Sequence, residues 1–244
     1  IRQGHGMAGP IYFAIGDVHG EADKLRQLHA AILDRIALEG RAAKIIHLGD
    51  YVDRGPDSRG VVEQVIALEK RFDRDPAVEV VSLMGNHEQM MLDAYDSEDG
   101  GSWWSQGGAE TADSYAGGKD KGGADWRDTI PQQHMSWMRR LPAMVHDRER
   151  RLVFVHAGIE PAQFPEEDQR TYLWTRSERF FLQWQWPDRE ELKDLLVIHG
   201  HTPKSFDPEI YPHRINIDTG AVFGGPLTAV MLKDGARPEF LRAP

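Results

Sequence analysis

Residues 78–88, VEVVSLMGNHE, decide the fold, because they join a strand-like run to a group of polar side chains. The run VEVVSLM is rich in β-branched and apolar residues, which is typical of a strand. Gly85 ends this run, and Asn86, His87 and Glu88 follow at once, where the next helix is expected to begin. A helix N-cap explains Asn86 but not His87. The stretch therefore predicts functional groups at the end of a buried strand.

The rest of the chain alternates short apolar runs with helical periodicity. Helical spacing in residues 21–38 places four apolar side chains on one face: Leu25, Leu28, Ile32 and Ile36. Seven strands are predicted, at 11–15, 44–48, 78–84, 151–158, 195–201, 214–220 and 226–232. Strand and helix alternate in the first half, which favours an α/β fold with a largely parallel sheet.

Five of the apolar runs end beside glycine and polar side chains, most of them able to bind a metal. These side chains are Asp17 and His19; Asp50, Asp53 and Arg54; Asn86 and His87; His156; and His199 and His201. The carboxyl ends of parallel strands gather at one edge of an α/β sheet, so groups far apart in sequence converge there. A single cluster of this kind is usually a turn. Five in order, with carboxylate, imidazole and amide groups, predict a metal site.

Charge and composition limit the partners that this protein can have. The 244 residues are 40% hydrophobic, and 29 Lys and Arg face 39 Asp and Glu, which gives a net charge of −10. A surface of this sign repels nucleic acid and anionic membranes, so we expect neither as a partner. The chain has no cysteine, which excludes a thiol nucleophile and a zinc–thiolate site.

The absence of a long apolar run predicts a cytoplasmic protein. No stretch approaches roughly 18 consecutive apolar residues, and no basic-then-apolar leader opens the chain. Residues 1–6 differ in character from the rest of the chain, and we interpret them as left over from an expression vector, with Met7 as the expected native start.

The strand-end residues form an ordered set of motifs: Asp17-x-His19, Asp50-x-x-Asp53-Arg54-Gly55, Gly85-Asn86-His87-Glu88, His156 and Gly200-His201. This set resembles the metal-dependent phosphoprotein phosphatases, and within the calcineurin-like metallophosphoesterases it is closest to the bacterial serine/threonine phosphatase branch. The resemblance runs from about Ile11 to Ala221. It implies an α/β fold with a central β-sandwich of mixed sheets flanked by helices. We expect a single domain over residues 7–244, with a Gly- and Trp-rich excursion at about 96–130.

The resemblance implies two divalent metal ions as cofactors. Metal one would be held by Asp17, His19 and Asp50. Metal two would be held by Asp50, Asn86, His156 and His201, so that Asp50 bridges the two ions. This mixture of oxygen and nitrogen ligands suits Mn²⁺, Fe or Zn²⁺ and gives no reason to prefer Ca²⁺. Mn²⁺ is the preferred expectation, with Fe, Zn²⁺ and Ni²⁺ as alternatives.

The resemblance also implies roles in catalysis for four residues. His87 would be the general acid, and Asp53 would keep its imidazole protonated and oriented. Arg54 would bind phosphate oxygens through its fork of N–H donors. The family carries a second phosphate-binding arginine, for which Arg176 in YLWTRSERF is the first candidate and Arg179 the rival.

These roles predict a phosphomonoesterase that hydrolyses phosphoserine and phosphothreonine by in-line attack of a metal-bridging hydroxide. The expected partner is a phosphorylated protein or peptide, with small phosphoesters as a further substrate class. The alternative is a dinucleoside polyphosphate hydrolase. That branch tends to carry Gln where this chain has His19, and GHW where this chain has GHT at 200–202, so we rank it second. A non-catalytic metal-binding protein ranks last, because no ligand is missing.

Residues 96–130 interrupt the alternation of strands and helices. The segment is rich in Gly and Asp but also holds aromatic residues, among them Trp103, Trp104 and Tyr115. The sequence leaves three interpretations of this segment open: a solvated loop, a lid or a packed cap. Our hypothesis is that the three aromatic side chains form one wall of the substrate groove.

Overall fold

The computed structural model of the protein describes residues 9–97, 101–117 and 125–244. The interpretation of residues 1–6 as vector-derived lies outside the described residues. The same holds for residues 98–100 and 118–124 of the predicted excursion. The assignment of one domain to residues 7–244 stays a prediction.

Ten strands lie in the described part of the chain. They are β1 (Ile11–Ile15), β2 (Ala43–His47), β3 (Val78–Ser82), β4 (Met144–Asp147), β5 (Leu152–Val155), β6 (Leu196–His199), β7 (Glu209–Ile210), β8 (Arg214–Asn216), β9 (Leu227–Leu232) and β10 (Glu239–Ala243). They form two five-stranded sheets, with the spatial orders β10-β9-β1-β2-β3 and β4-β5-β6-β8-β7. Both sheets are mixed: the first has antiparallel pairs only on the side of β9 and β10, whereas the second has an antiparallel strand at each edge. β1, β2 and β3 are parallel in the first sheet, and β5, β6 and β8 are parallel in the second.

Seven α-helices connect or cover these strands. They are α1 (Ala22–Glu39), α2 (Ser58–Phe72), α3 (Asn86–Asp96), α4 (Gly108–Ala116), α5 (Gln132–Met138), α6 (Gln169–Trp174) and α7 (Glu178–Phe181). Short 3₁₀ turns occupy Gly101–Gln106, Trp126–Thr129, Gln183–Gln185, Glu190–Leu192 and Ala221–Phe223. All these counts refer to the described residues.

Local chemistry sets the ends of the long helices. α1 ends at Gly40, whose left-handed backbone (φ 59°) lets its N–H bond the carbonyl of Ile36. α2 begins at Asp57, whose side chain accepts the N–H of Gly60 at 2.8 Å. The predicted apolar face of α1 is confirmed, since Leu25, Leu28 and Ile32 are buried and Ile36 is partly buried against the same core.

Alternation along the strands builds a layered core. Phe13 of β1 faces the helices on the outer side of the first sheet, whereas its neighbours Tyr12 and Ala14 face the second sheet. The Tyr12 ring stacks on Phe154 of β5, with ring centroids 5.4 Å apart. Successive strand residues point to opposite faces, so this register buries both faces of the first sheet.

The β-sandwich of mixed sheets flanked by helices is confirmed. The expectation of a largely parallel sheet was wrong, because β9 pairs antiparallel with β1 and with β10. β4, β7 and β10 were missed as strands. β4 and β10 are mostly half-buried edge strands that carry charged residues, and β7 has only two residues, so none of them shows a continuous apolar run. In the described part of the chain, no helix is long and apolar enough to cross a membrane.

Replacing Ile198 in the centre of the sandwich is expected to destabilise the fold. Ile198 is fully buried between the sheets. The change Ile198→Ala should lower the free energy of unfolding by about 2–5 kcal/mol, because it leaves a cavity. Urea denaturation would measure this loss. The control Ile210→Ala, at a site 58% exposed, should change stability by no more than about 0.5 kcal/mol. Equal losses at the two sites would contradict the layered core.

Candidate active site

The predicted site residues sit on strained backbone at the strand ends. Five of them have positive φ angles, at His19 (43°), Asp50 (54°), Asp53 (73°), Arg54 (69°) and His201 (67°). Among the described residues, the only other non-glycine residues with positive φ are Arg151 and Asp194. Such conformations cost free energy for residues with a Cβ and concentrate at functional sites.

His19, Asp50 and His87 form a first group of side chains that could hold a metal ion. His19 Nε2 lies 3.3 Å from Asp50 Oδ2, and all three side chains are buried. The Nδ1 of His19 lies 2.8 Å from the carbonyl oxygen of Val52. Because a carbonyl only accepts hydrogen bonds, the Nδ1 carries the proton, and the Nε2 lone pair is directed at the group.

A second group is formed by Asp50, His156 and His201, with Asn86 beside them. His156 Nε2 lies 3.4 Å from Asp50 Oδ1 and 2.8 Å from Asn86 Oδ1. Asn86 Oδ1 also lies 2.9 Å from His201 Nδ1. The Nδ1 of His156 faces the carbonyl of Leu48 at 3.0 Å, so its Nε2 is again the unprotonated nitrogen.

Asp50 belongs to both groups and offers one oxygen to each. Its Oδ2 faces His19, whereas its Oδ1 faces His156 and also accepts the backbone N–H of His87 at 3.0 Å. The lone pairs of His156 Nε2 and Asn86 Oδ1 face each other at 2.8 Å, an arrangement that a cation between them would stabilise. Carboxylate, amide oxygen and neutral imidazole are suitable ligands for a divalent transition metal. The donor set therefore fits two divalent ions.

The protonation of the buried groups agrees with this fit. Burial is the largest influence on His156 and His201 and lowers the pKa of both, to about 2 for His201, so both imidazoles are neutral ligands at neutral pH. Burial, Asp218 and Asp50 raise the pKa of Asp17 well above its usual value. Burial likewise raises the pKa of Asp218 to about 6. Carboxylates packed this closely need positive charge nearby, which divalent cations would supply.

Asp17 is placed at the site but does not belong to either group. Its two carboxylate oxygens accept the backbone N–H of His201, at 3.2 and 3.0 Å. This contact joins the end of β1 to the end of β6 and so links the two sheets. Asp218, which follows β8, was not predicted. The only sequence signal for it is its place after the strand-like run RINI.

His87 and Asp53 form a buried pair. His87 Nδ1 lies 2.7 Å from Asp53 Oδ2, and both side chains are almost fully buried. Trp103 Nε1 donates to the two Asp53 oxygens at 2.9 and 3.0 Å, and the Thr111 hydroxyl donates to Oδ1 at 2.8 Å. Asp53 is thus held by three donors, and sequence reasoning missed two of them.

The hypothesis that three aromatic residues of the excursion form a groove wall was wrong. Trp103 and Tyr115 are buried, and Tyr115 bonds His134 through its hydroxyl at 3.0 Å. Trp104 is 38% exposed but does not line the cleft. The segment instead contributes Ser102 and Gln106 to the cleft. Trp103 and Trp104 contact each other and Trp126 in tilted and edge-to-face arrangements, and Trp103 is thereby buried.

A cleft of about 440 Å³ opens over the two groups. It is lined by Asp50, Arg54, Asn86, His87, Met90, Ser102, Gln106, Trp174, Arg176, His201, Pro203 and Phe223. Polar groups gather at its base, and aromatic side chains stand among its walls. A cleft of this size accommodates a small phosphoester or part of an extended chain.

Two arginines reach into this cleft from different sides. Arg54 Nη1 lies 2.6 Å from His19 Nε2, and Arg176 Nε donates to His201 Nε2 at 3.2 Å. Arg179 is exposed and does not line the cleft. Of the two arginines considered for the second position, the structure therefore brings Arg176 to the site.

Glu88 is a functional residue that sequence reasoning did not single out. Its fully buried carboxylate accepts four backbone N–H groups: Asp50 (2.8 Å), Tyr51 (2.7 Å), Val52 (3.2 Å) and Gly85 (3.0 Å). Burial, with repulsion from Asp50, raises the pKa of Glu88 to about 8, although the N–H donors act in the opposite direction. Glu88 thereby fixes the loop that carries Asp50. The signal in the sequence was its position three residues after Gly85, where a capping box places Glu.

The fold and the site together define a metal-dependent phosphoesterase. The family model for the calcineurin-like phosphoesterases matches residues 12–230, and the chain belongs to this family.

Two relatives are named bis(5'-nucleosyl)-tetraphosphatases, one asymmetrical and one symmetrical. The asymmetrical bis(5'-nucleosyl)-tetraphosphatase PrpE of Oceanobacillus iheyensis is 29% identical over 232 residues, which cover 88% of this chain and 86% of that protein. The symmetrical bis(5'-nucleosyl)-tetraphosphatase of Chromohalobacter salexigens is 33% identical over 152 residues, 61% of this chain and 45% of that protein. The calcineurin-like superfamily is thus confirmed, whereas these relatives do not support the serine/threonine phosphatase branch.

Solved structures share the fold. The cold-active protein-tyrosine phosphatase of a Shewanella species superimposes with a TM-score of 0.64 at 17% identity, covering 97% of this chain and 81% of that chain. At this identity the likeness extends to the fold alone. His19 and the GHT sequence at 200–202 had placed the dinucleoside polyphosphate hydrolase second, yet the chain has relatives that are named tetraphosphatases.

Changing Glu88 is expected to loosen the metal site. The change Glu88→Gln replaces one acceptor oxygen with an NH₂ group that faces backbone N–H donors, so the free energy of unfolding should fall by about 1–3 kcal/mol. Mn²⁺ affinity, measured by isothermal titration calorimetry, should fall about 10–100-fold, because the loop of Asp50 loses its support. The control Glu63→Gln lies on the exposed side of α2 and should alter neither value. Unchanged Mn²⁺ affinity in Glu88→Gln would contradict this role.

Proposed function

We propose that this protein hydrolyses bis(5'-nucleosyl) tetraphosphates by cleaving one phosphoanhydride bond of the polyphosphate chain. The observation that carries the proposal is the similarity to the Oceanobacillus iheyensis tetraphosphatase, which extends over 88% of this chain and 86% of that protein. Because the full-length relative is the asymmetrical enzyme, the proposed products are a nucleoside triphosphate and a monophosphate.

The metal ligands in this proposal are Asp17, His19 and Asp50 on one side, and Asp50, Asn86, His156 and His201 on the other. When bound, the two divalent ions would activate water and offset the charge of the phosphate oxygens. Mn²⁺ is the proposed ion, consistent with the mixed oxygen and nitrogen donors. With two divalent ions bound, their four positive charges would exceed the two negative charges of Asp17 and Asp50, so the site would be cationic in spite of the acidic surface.

The two arginines orient the polyphosphate chain. Arg54 lies at the first group and Arg176 at the second, so phosphates that span the two groups would meet a guanidinium at each side. A guanidinium donates several N–H groups in a fixed plane and remains charged at all relevant pH values. Positioning of this kind supplies a large part of phosphoryl-transfer catalysis.

His87 is the proposed proton donor to the leaving oxygen. As water adds to one phosphorus, the P–O bond to the departing nucleotide breaks, and the electron pair remains on that oxygen. Asp53 holds His87 through Nδ1, which leaves Nε2 to deliver a proton. A phosphate leaving group requires this proton less than a serine or threonine alkoxide does.

The buried His87–Asp53 pair also favours a second candidate function, hydrolysis of phosphoserine and phosphothreonine. An alkoxide is a poor leaving group, and a well-oriented general acid helps it most. The distance of 2.7 Å between His87 Nδ1 and Asp53 Oδ2 supplies that orientation. The substrate of this candidate would be a phosphorylated protein or peptide.

An activity panel with the Mn²⁺-loaded protein separates the two candidates. It compares diadenosine tetraphosphate with a phosphoserine peptide and with bis-p-nitrophenyl phosphate as a diester. We expect kcat/KM for diadenosine tetraphosphate to exceed that for the peptide by roughly tenfold or more. Chromatography should show ATP and AMP as products. Faster hydrolysis of the peptide would favour the second candidate, and two equivalents of ADP would contradict asymmetrical cleavage.

Removing the proton donor should affect substrates according to their leaving groups. The change His87→Asn should lower kcat for phosphoserine by about 10²–10⁴-fold, because the alkoxide then leaves unprotonated. The loss for p-nitrophenyl phosphate and for diadenosine tetraphosphate should be much smaller. The control Gln89→Ala, on the outer side of α3, should leave all three rates near those of the unmodified protein. Equal losses on all substrates would show that His87 has another role.

A further inference from the structure

Two partly exposed aromatic side chains stand at the walls of the active-site cleft. Trp174 is 37% exposed and Phe223 is 58% exposed, and both line the cleft. Large apolar side chains that remain open to water within a binding cleft are usually covered by the ligand.

The two rings belong to different sides of the site. Phe223 lies beside Arg54, whose Cζ is 5.8 Å from the ring centroid, and Arg54 contacts His19 of the first group. Trp174 lies beside His201 of the second group, with ring centroids 6.5 Å apart. One aromatic ring and one arginine therefore accompany each group, with Asp50 shared between them.

Backbone contacts hold both rings in place. Phe223 ends a 3₁₀ turn between Gly220 and Gly224, which both have left-handed backbone (φ 67° and 92°). The ammonium of Lys24 donates to the carbonyls of Ala221 and Gly225, at 3.0 and 2.7 Å, and so anchors this turn. A ring on a fixed turn loses little entropy when a ligand covers it.

Trp174 is anchored through its own helix. It is the last residue of α6, and the carbonyl of Tyr172 in the same helix accepts the N–H of Ala157 at 2.8 Å. Ala157 directly follows the proposed ligand His156. The position of Trp174 is therefore coupled to that of the second group.

We propose that Trp174 and Phe223 are stacking platforms for the two nucleobases of the substrate, one at each end of the polyphosphate chain. This inference rests on the proposed function and adds the residues that recognise the nucleoside. A purine is flat and aromatic, and every base offers a face for stacking, so these rings bind adenosine without reading its edge. Arg54 and Arg176, one at each group, match the phosphates that join the two nucleosides.

The kinetic test compares two phosphoanhydride substrates, one with bases and one without. For Trp174→Leu and Phe223→Leu, the ratio of kcat/KM for diadenosine tetraphosphate to kcat/KM for tripolyphosphate should fall about tenfold each. The control Trp184→Leu removes a tryptophan that is 79% exposed and does not line the cleft, and it should leave this ratio unchanged. A ratio unchanged in both platform variants would overturn the inference.

A binding test separates failure of this inference from failure of the proposed function. AMP and ribose 5-phosphate differ by the base alone, and their dissociation constants are measured with the Mn²⁺-loaded protein by calorimetry. The advantage of AMP over ribose 5-phosphate should shrink about tenfold in at least one platform variant, even if diadenosine tetraphosphate is not hydrolysed. An advantage that persists undiminished in both variants would overturn the inference. Thermal unfolding checks that each variant remains folded.

Discussion

The rest of the site depends on the contacts of the Asp50 carboxylate. One oxygen faces His19 and the other faces His156, so a single side chain joins the two groups of metal-competent residues. Glu88 holds the loop of Asp50 through backbone N–H groups. The sandwich then brings the ends of β1, β3, β5 and β6, which are followed by the other candidate ligands, close to Asp50 after β2. These surroundings hold five site residues in strained backbone conformations with positive φ.

Much of the site could be predicted from the sequence, because strand ends and ligand chemistry are both local signals. Asn86 and His87 follow a strand directly, and they have different neighbours: Asn86 lies beside His156, and His87 lies beside Asp53. The mixed sandwich followed from the resemblance. The alternation of strands and helices alone suggested a parallel sheet, because it does not reveal that β9 pairs antiparallel with β1 and β10.

The remaining features depend on contacts between distant segments. Trp103 donates to Asp53 across 50 positions of the chain, and no spacing rule predicts such a bond. Glu88 appeared to belong only to its helix, yet its carboxylate reaches back to residues 50–52. Two motif departures also placed the dinucleoside polyphosphate hydrolase second, whereas the relatives carry tetraphosphatase names. His19 and the GHT ending lie at the metal groups, whereas Trp174 and Phe223, the residues that we propose to recognise the nucleoside, lie on the cleft walls.

The central claim is that Asp50 joins two metal ions, and anomalous X-ray diffraction of crystals grown with Mn²⁺ tests it most directly. The account predicts two anomalous peaks, one between Asp50 and His19 and the other among Asp50, Asn86, His156 and His201. Crystals of Asp50→Asn grown in the same way should lose at least one of the peaks. A single peak in the unmodified protein, or peaks that Asp50 does not contact, would contradict the claim.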